Sequence, residues 1–378
     1  MAQIHGSCKP EFEHVRRVFE ERITQGEDLG ASLCVDIKGE TVIDLWGGYA
    51  NPEKTRPWEE DTLAVVWSSA KVVTALAAII LIDRGILDPD EKVSKYWPEF
   101  AANGKESVTV GHVLSHSSGL PSWEPPVTFE EIFDTAKSTE KLAQQAPWWT
   151  PGEHSGYQLV NHGHLVGELV RRTTGKSLKQ FIAEEIAGPL KADFRLGLEK
   201  KDWPRAADMV PILPPTLDQL DPKSIMFRAF AGGVIKVEQT TSSKFRESEI
   251  GAVNAFANAR SLCRIGSVIS LGGTRDGKTY LSPETVNKIV KERVSGQDLV
   301  MGVYMRFGLG VGLSVPETLP WIPDGRICFW GGWGGSMIIM DLDRQMTIGY
   351  VMNKMADGTL GNPNTEAYVR AIYKVLDG

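Results

Sequence analysis

Val65-Val66-Trp67-Ser68-Ser69-Ala70-Lys71-Val72-Val73 places a serine and a lysine three residues apart at the mouth of an apolar segment. From Val72 to Ile82 only Thr74 is polar, so the segment reads as a helix that is apolar on every side. It is too short to cross a bilayer and belongs inside a domain. Three residues make nearly one helical turn, which puts Ser68 and Lys71 on one face about 4.5 Å apart along the axis. A serine hydroxyl is a poor nucleophile until a base takes its proton, and a lysine one turn on can be that base if burial lowers its pKa. The helix start adds free backbone N–H groups, useful where an oxyanion forms. The alternative is a capping serine beside a snorkelling lysine.

The spacing alone is cheap. Ser138-Thr139-Glu140-Lys141 repeats it after Asp134-Thr135-Ala136-Lys137, where Ser138 reads as the N-cap of an exposed helix. Only Ser68 stands at a hydrophobic helix start, and context selects it as the nucleophile.

Outward from this helix, the chain changes texture twice. Phe12, Val15, Val18, Phe19 and Ile23 lie on one face of a helix after Pro10. Ala31 to Ile37 and Thr41 to Trp46 are strand-like runs around a Lys38-Gly39-Glu40 turn. From about Asp61 to Val300 the pattern is helical, with candidates at 70–84, 110–115, 129–135, 159–174, 178–186, 254–271 and 283–292. Strands return at 307–313, 326–330, 337–340 and 346–352, before a closing helix over 364–376. This predicts an α/β protein of the α+β type: residues 1–60 and 301–378 form a sheet subdomain, residues 61–300 a mainly helical one, and the active site lies between them. The proline-rich stretch 203–222 reads as an extended surface excursion, and the polar stretch 237–249 as a mobile loop.

Bulk properties exclude several functions. The 378-residue chain is 42% hydrophobic and has a formal net charge of −7, with no basic run. Nucleic acid and anionic membrane surfaces are therefore poor partners. No signal segment is visible at the start, and the four cysteines lack Cys-x-x-Cys spacing, as expected of a cytoplasmic protein with reduced thiols. His162-x-His164 has no carboxylate at ligand spacing, so no metal is expected, and Gly308-x-Gly310-x-Gly312 reads as strand glycines instead of a nucleotide loop. No cofactor is expected. Oligomeric state is not legible.

Two further elements carry chemistry. Pro151-Gly152-Glu153-His154-Ser155-Gly156-Tyr157 turns the chain and leaves Tyr157 just ahead of a helix, where a nearby lysine would help its phenol relay protons. Trp330-Gly331-Gly332-Trp333-Gly334-Gly335-Ser336 would be a weak ordinary strand, but suits a place where a ligand or another backbone approaches closely. The alternatives are a half-buried structural tyrosine and a tight bulge.

In this order the three elements resemble the serine β-lactamase and penicillin-binding-protein superfamily, in particular the class C-like family VIII carboxylesterases. The resemblance runs from about Gly30 to Val375. It includes Leu114-Ser115-His116-Ser117-Ser118-Gly119-Leu120-Pro121, Asn258-Ala259-Arg260-Ser261-Leu262, Leu281-Ser282-Pro283-Glu284-Thr285-Val286 and Tyr350-Val351-Met352-Asn353. It implies a β-lactamase/transpeptidase-like fold, an antiparallel sheet built from both termini and flanked by helices. It also implies Ser68 as nucleophile, Lys71 as base, Tyr157 in the proton network, and the backbone N–H groups of Ser68 and Trp333 as oxyanion donors. Trp330, Gly331 and Gly332 would bind substrate, and Trp123 would contact the acyl group.

Two departures narrow the function. Leu159 fills the third place of the family's Tyr-x-Asn motif, and Trp330-Gly331-Gly332 stands where β-lactamases carry Lys-Thr-Gly. An uncharged indole cannot bind a substrate carboxylate as that lysine does, which favours a small neutral ester as substrate. No Gly-x-Ser-x-Gly occurs, arguing against an α/β-hydrolase. The leading expectation is a serine carboxylesterase acting through an acyl-enzyme. The rivals are an acyltransferase on the same site, a β-lactamase or D-aminopeptidase, and a non-catalytic scaffold on the same fold.

Overall fold

A computed structural model describes residues 3–212, 220–233 and 235–378. Its centre is a nine-stranded sheet in the order Ile4–Cys8, Glu40–Gly48, Gly30–Ile37, Met346–Met352, Met337–Asp341, Ile327–Gly331, Gly312–Leu313, Tyr304–Phe307, Val294–Gln297. Every neighbouring pair is antiparallel. The first and last thirds of the chain meet where Met346 pairs with Ile37 and Met352 with Ala31. Both of those strands are almost wholly buried, in keeping with mostly apolar sequences in which Ser32, Asp36 and Thr347 are the buried polar positions.

Alternation along Met346–Met352 assigns the two covering layers. Thr347 and Gly349 face the helix Ala259–Ser270: Ser270 Oγ lies 2.8 Å from Thr347 Oγ1, and a Cβ on Gly349 would sit 2.6 Å from the Ala259 carbonyl. Tyr350 points the other way onto Tyr368 of the closing helix Pro363–Asp377, which packs on the early helix Glu13–Gln25 through Phe19. There Tyr350 and Tyr368 both donate at 2.6 Å to Asp28, whose burial raises its pKa.

The helical part is built around Ala70–Asp83. Every residue from Ala70 to Ile82 is buried, so this helix is enclosed on all sides, as its composition demands. Gly310, with φ of 78°, touches it: a Cβ there would be 2.2 Å from Ala75 Cβ. The expected strand 307–313 is therefore two short strands, Tyr304–Phe307 and Gly312–Leu313, joined by a bend against the helix.

Other expectations are revised. The range 254–271 divides into a strand, Ala255–Ala257, and the helix Ala259–Ser270, because Asn258 caps the helix by accepting from the Ser261 N–H. The helix expected from 159 begins at His162. Val294–Gln297 belongs to the sheet although it lies in the range read as helical. The stretch 237–249 contains a 3-10 turn, Val237–Thr241, and a short helix, Ser243–Glu247, in which Phe245 is buried. The excursion 203–222 begins within the 3-10 helix Lys200–Arg205, and its residues 213–219 lie outside the described ones. Ser138 is buried inside the helix Thr135–Gln144, which is capped by Asp134. No helix among the described residues is long and apolar enough to cross a membrane.

Candidate active site

Ser68 sits in a 3-10 turn, Trp67–Ser69, immediately before the central helix. Trp67 adopts φ of 45°, a left-handed conformation that costs a bulky residue about 1–3 kcal/mol and must be imposed by its surroundings. Those constraints are visible. The Val66 N–H donates to the Ala255 carbonyl at 2.9 Å, and Ser336 Oγ donates to the Val66 carbonyl at 2.7 Å. Ser69 Oγ lies 3.0 Å from Ser336 Oγ, so Ser69 is a structural tie between helix and sheet. Gly332 allows this approach, since a Cβ there would stand 2.3 Å from the Val66 carbonyl oxygen. Of the two reasons for glycine in this run, backbone against backbone is the one realised at Gly332.

Lys71 is 1% exposed, and its Nζ has three neighbours: Ser68 Oγ at 2.9 Å, the Leu159 carbonyl at 2.8 Å and the Ala252 carbonyl at 3.2 Å. Burial without a counter-charge drives its pKa well below the usual lysine range. A neutral amine has two N–H bonds and one lone pair. The two carbonyls can take only N–H groups, which leaves the lone pair for the Ser68 O–H. The environment matches the uncharged base in number and in kind.

Tyr157 is 1% exposed, and its ring lies 4.7 Å from Lys71 Nζ. Burial pushes its phenol above the ordinary value, with the Ser68 and Trp330 side chains acting in the opposite direction. The Trp330 indole N–H donates to the Tyr157 oxygen at 3.2 Å. Tyr157 therefore stays protonated and can give a proton, while Lys71 can take one. The tyrosine backbone is also fixed: its N–H donates to Asp298 Oδ1 at 3.1 Å.

Beside Ser68, the Trp333 N–H has no acceptor among the described residues, as an oxyanion donor requires. Its ring meets Trp67 edge-on at 5.2 Å. A cavity of about 590 Å³ opens over Ser68 and Tyr157, walled mainly by Trp67, Leu159, Val160, Phe230, Val253 and Trp333. A second space of about 530 Å³, bordered by Met226, Met301, Leu319 and Trp321, shares Tyr157, Leu159, Phe230 and Thr359 with the first. At the first cavity, Lys236 is the one cation among the described residues, exposed beside Glu238.

The structure thus brings Ser68, Lys71, Tyr157 and Trp333 together and leaves other expected site residues outside. Trp330 lies behind Tyr157 and touches its hydroxyl instead of the cavity. Gly331 faces the backbone of Thr359 to Gly361. Trp123 is fully buried, donates to the Ser138 carbonyl at 3.1 Å and packs edge-on against His164; it reaches neither cavity. Arg246, a cation of the 237–249 stretch, stacks over Trp203 and also lines neither space. Sequence reading missed Leu159 and Ala252, which act through carbonyls that any residue offers. It also gave no role to His116, although the Leu114–Pro121 motif contains it. No group of three or more metal-ligating side chains converges among the described residues.

Comparisons with known proteins give the family and the fold. The model of the beta-lactamase family matches residues 15–371. The chain is 31% identical over 368 residues to the esterase/beta-lactamase LipL of Mycobacterium tuberculosis, covering 93% of this chain and 83% of that protein. Among solved structures, a family VIII carboxylesterase superposes with a TM-score of 0.93 at 34% identity, covering 99% of this chain and 100% of its own. A penicillin-binding-protein homologue from Caulobacter crescentus gives a TM-score of 0.92, also at 34% identity and with the same coverage. These matches show the β-lactamase/transpeptidase-like fold that the sequence motifs imply.

Proposed function

The chain belongs to the beta-lactamase family, and from that premise we propose that it is a serine hydrolase cleaving neutral carboxylic esters through an acyl-enzyme on Ser68. The observation that carries this reading is the set of partners around Lys71 Nζ, two carbonyls and the Ser68 hydroxyl with no carboxylate. Relatives described as an esterase and a carboxylesterase support ester hydrolysis as the activity.

The residues divide the work as follows. Lys71 accepts the Ser68 proton as Oγ attacks the ester carbonyl, and the resulting ammonium lies over the Tyr157 ring. The oxyanion takes the backbone N–H groups of Ser68 and Trp333. Tyr157 protonates the departing alkoxide and is replenished from Lys71, which returns to its neutral state. Water then enters, gives its proton to the same network and releases the acid, regenerating Ser68.

Charge selects the substrate. A β-lactam carries a carboxylate into the cavity, where Trp330 supplies no charge and sits behind Tyr157. Lys236 is exposed at the rim, a place where ion pairs are worth only about 0–1 kcal/mol. A neutral ester has no charge to desolvate, and the tryptophan-lined walls favour its apolar parts. Steady-state assays of a p-nitrophenyl ester against a chromogenic cephalosporin test this. The ester is expected to have the higher kcat/KM by orders of magnitude; a higher value for the cephalosporin overturns the assignment.

A further inference from the structure

His116 belongs to a motif that the catalytic steps above do not use, yet its placement is unusual in three respects. It is buried, with φ of 59°, in the left-handed region that few residues other than glycine occupy. Its own carbonyl accepts from the Gly156 N–H at 2.9 Å, while its ring Nδ1 accepts from the Gln158 N–H at 3.2 Å. These amides flank Tyr157 on either side. Finally, its ring cannot swing away, because it meets the rings of Tyr157 at 5.1 Å, His162 at 5.0 Å, Phe307 at 5.0 Å and Trp330 at 5.9 Å.

We propose that His116 is a positioning residue for the reaction: it clamps the backbone on both sides of Tyr157 and so holds the phenol against Ser68. The left-handed turn is what allows one residue to present its carbonyl and its ring to amides two residues apart. The clamp requires a lone pair on Nδ1, hence a neutral ring carrying its proton on Nε2. The surroundings enforce this. Burial holds His116 well below the usual histidine range, and the neighbouring His162 and Lys71 act in the same direction. Trp330 completes the arrangement, stacked on His116 and donating to the Tyr157 hydroxyl. Tyr157 is thus held through its two flanking amides, its own N–H and its oxygen. The Leu114–Pro121 motif is thereby tied to the proton network without touching substrate.

The proposal rests on Tyr157 serving the acyl-enzyme reading, and its test separates the two. Asparagine tolerates the left-handed region and offers a carbonyl oxygen in place of Nδ1, whereas alanine offers no acceptor. In His116→Ala, kcat should fall at least about 100-fold with KM within about threefold, because a misplaced proton donor costs rate rather than binding. His116→Asn should recover kcat to within about tenfold of wild type, although both variants lose the imidazole packing and melt lower. Wild-type kcat in His116→Ala, or an equal loss in both variants, overturns the clamp. A second readout uses the unmodified protein: long-range ¹H–¹⁵N correlation of the His116 ring should show the proton on Nε2 at neutral pH, and a proton on Nδ1 contradicts the clamp whatever the activity. If wild type hydrolyses no ester, the acyl-enzyme reading falls while the tautomer still decides the clamp.

Discussion

Among the described residues two lysines, Lys71 and Lys105, are buried without an ion pair, and they differ by one acceptor. Lys105, 0% exposed, gives its Nζ to three carbonyls: Ala102 at 2.6 Å, Ala143 at 2.9 Å and Gln145 at a shorter contact. Lys71 has two carbonyls and the Ser68 hydroxyl. Three carbonyls need three N–H donors, so the Lys105 site is shaped for an ammonium. Burial draws Lys105 down only to about 8, with the neighbouring Glu106 acting in the opposite direction, and it remains charged at neutral pH. At Lys71 the third partner can itself donate, so the amine has somewhere to direct a lone pair. One lysine is a fastener that ties the end of the helix Thr135–Gln144 to the 102–105 loop, and the other is a base. The lesson is that burial alone does not make a lysine catalytic; the type of its last partner does.

The largest effect should come from replacing each lysine in turn. Lys71→Met should reduce kcat by about 10²–10⁴-fold, the range for a lost general base, with the fold retained by circular dichroism. Lys105→Met should leave kcat per folded molecule within about twofold, yet lose about 2–4 kcal/mol of stability in denaturant titration, since one buried and two part-buried carbonyls lose their donor. If Lys105→Met reduces kcat as Lys71→Met does, the division between fastener and base is wrong.

Tyr157→Phe removes the proton donor and should cost about 10²–10³-fold in kcat. Because Lys71 and Tyr157 act in one relay, the double variant Lys71→Ala/Tyr157→Phe should be little worse than the more damaging of the two single changes. Multiplicative losses in steady-state assays would show two independent routes for the proton.

The two lysines should also separate by pH. Activity requires neutral Lys71, so kcat/KM should rise on an acid limb lying well below ordinary lysine titration, then hold through neutral and mildly alkaline pH because Tyr157 remains protonated. For Lys105 the sign runs through stability. Below pH 8 folded and unfolded states both carry the proton, and the burial cost is present in full. From pH 8 to 10.5 the folded state sheds a proton that the unfolded state retains, so wild type gains stability relative to Lys105→Met across that window. Parallel stability profiles for the two proteins contradict this.

The smallest effect concerns the second Ser-x-x-Lys tetrad. Ser138 Oγ donates to the Glu131 carbonyl at 2.6 Å, and Lys141 pairs with Glu131 at 2.7 Å, so neither activates the other. Ser138→Ala should lose about 1 kcal/mol of stability in thermal unfolding and no activity. A fall in kcat beyond twofold would mean that the pair is not merely structural.

These contrasts also show what was legible in the sequence. The catalytic tetrad could be distinguished from its copy because hydrophobic context travels with the residues: Val72–Ile82 has no exposed face to spare. The sheet could be read from both ends of the chain for the same reason, and Met346–Met352 appears with the limits its apolar run implies. Backbone acceptors could not be read. Leu159 departs from the motif by side chain, yet its carbonyl is one of the two that orient Lys71. The resemblance put Trp123 at the acyl group by position in the chain, and position alone does not tell a pocket indole from the buried one observed. In the polar run 237–249, the two apolar residues Val237 and Phe245 supply the burial that anchors it. Asn258 ended one element and began another through a cap that reads like any loop asparagine.

The account depends most on Ser68 forming a covalent acyl intermediate with Lys71 as its base. Rapid-quench mass spectrometry of the protein mixed with a p-nitrophenyl ester or a fluorophosphonate tests this directly. One adduct per chain should appear on the peptide bearing Ser68 in wild type, slow by orders of magnitude in Lys71→Met, and vanish in Ser68→Ala. An adduct on Ser69 or Ser138, or undiminished ester turnover in Ser68→Ala, would contradict it.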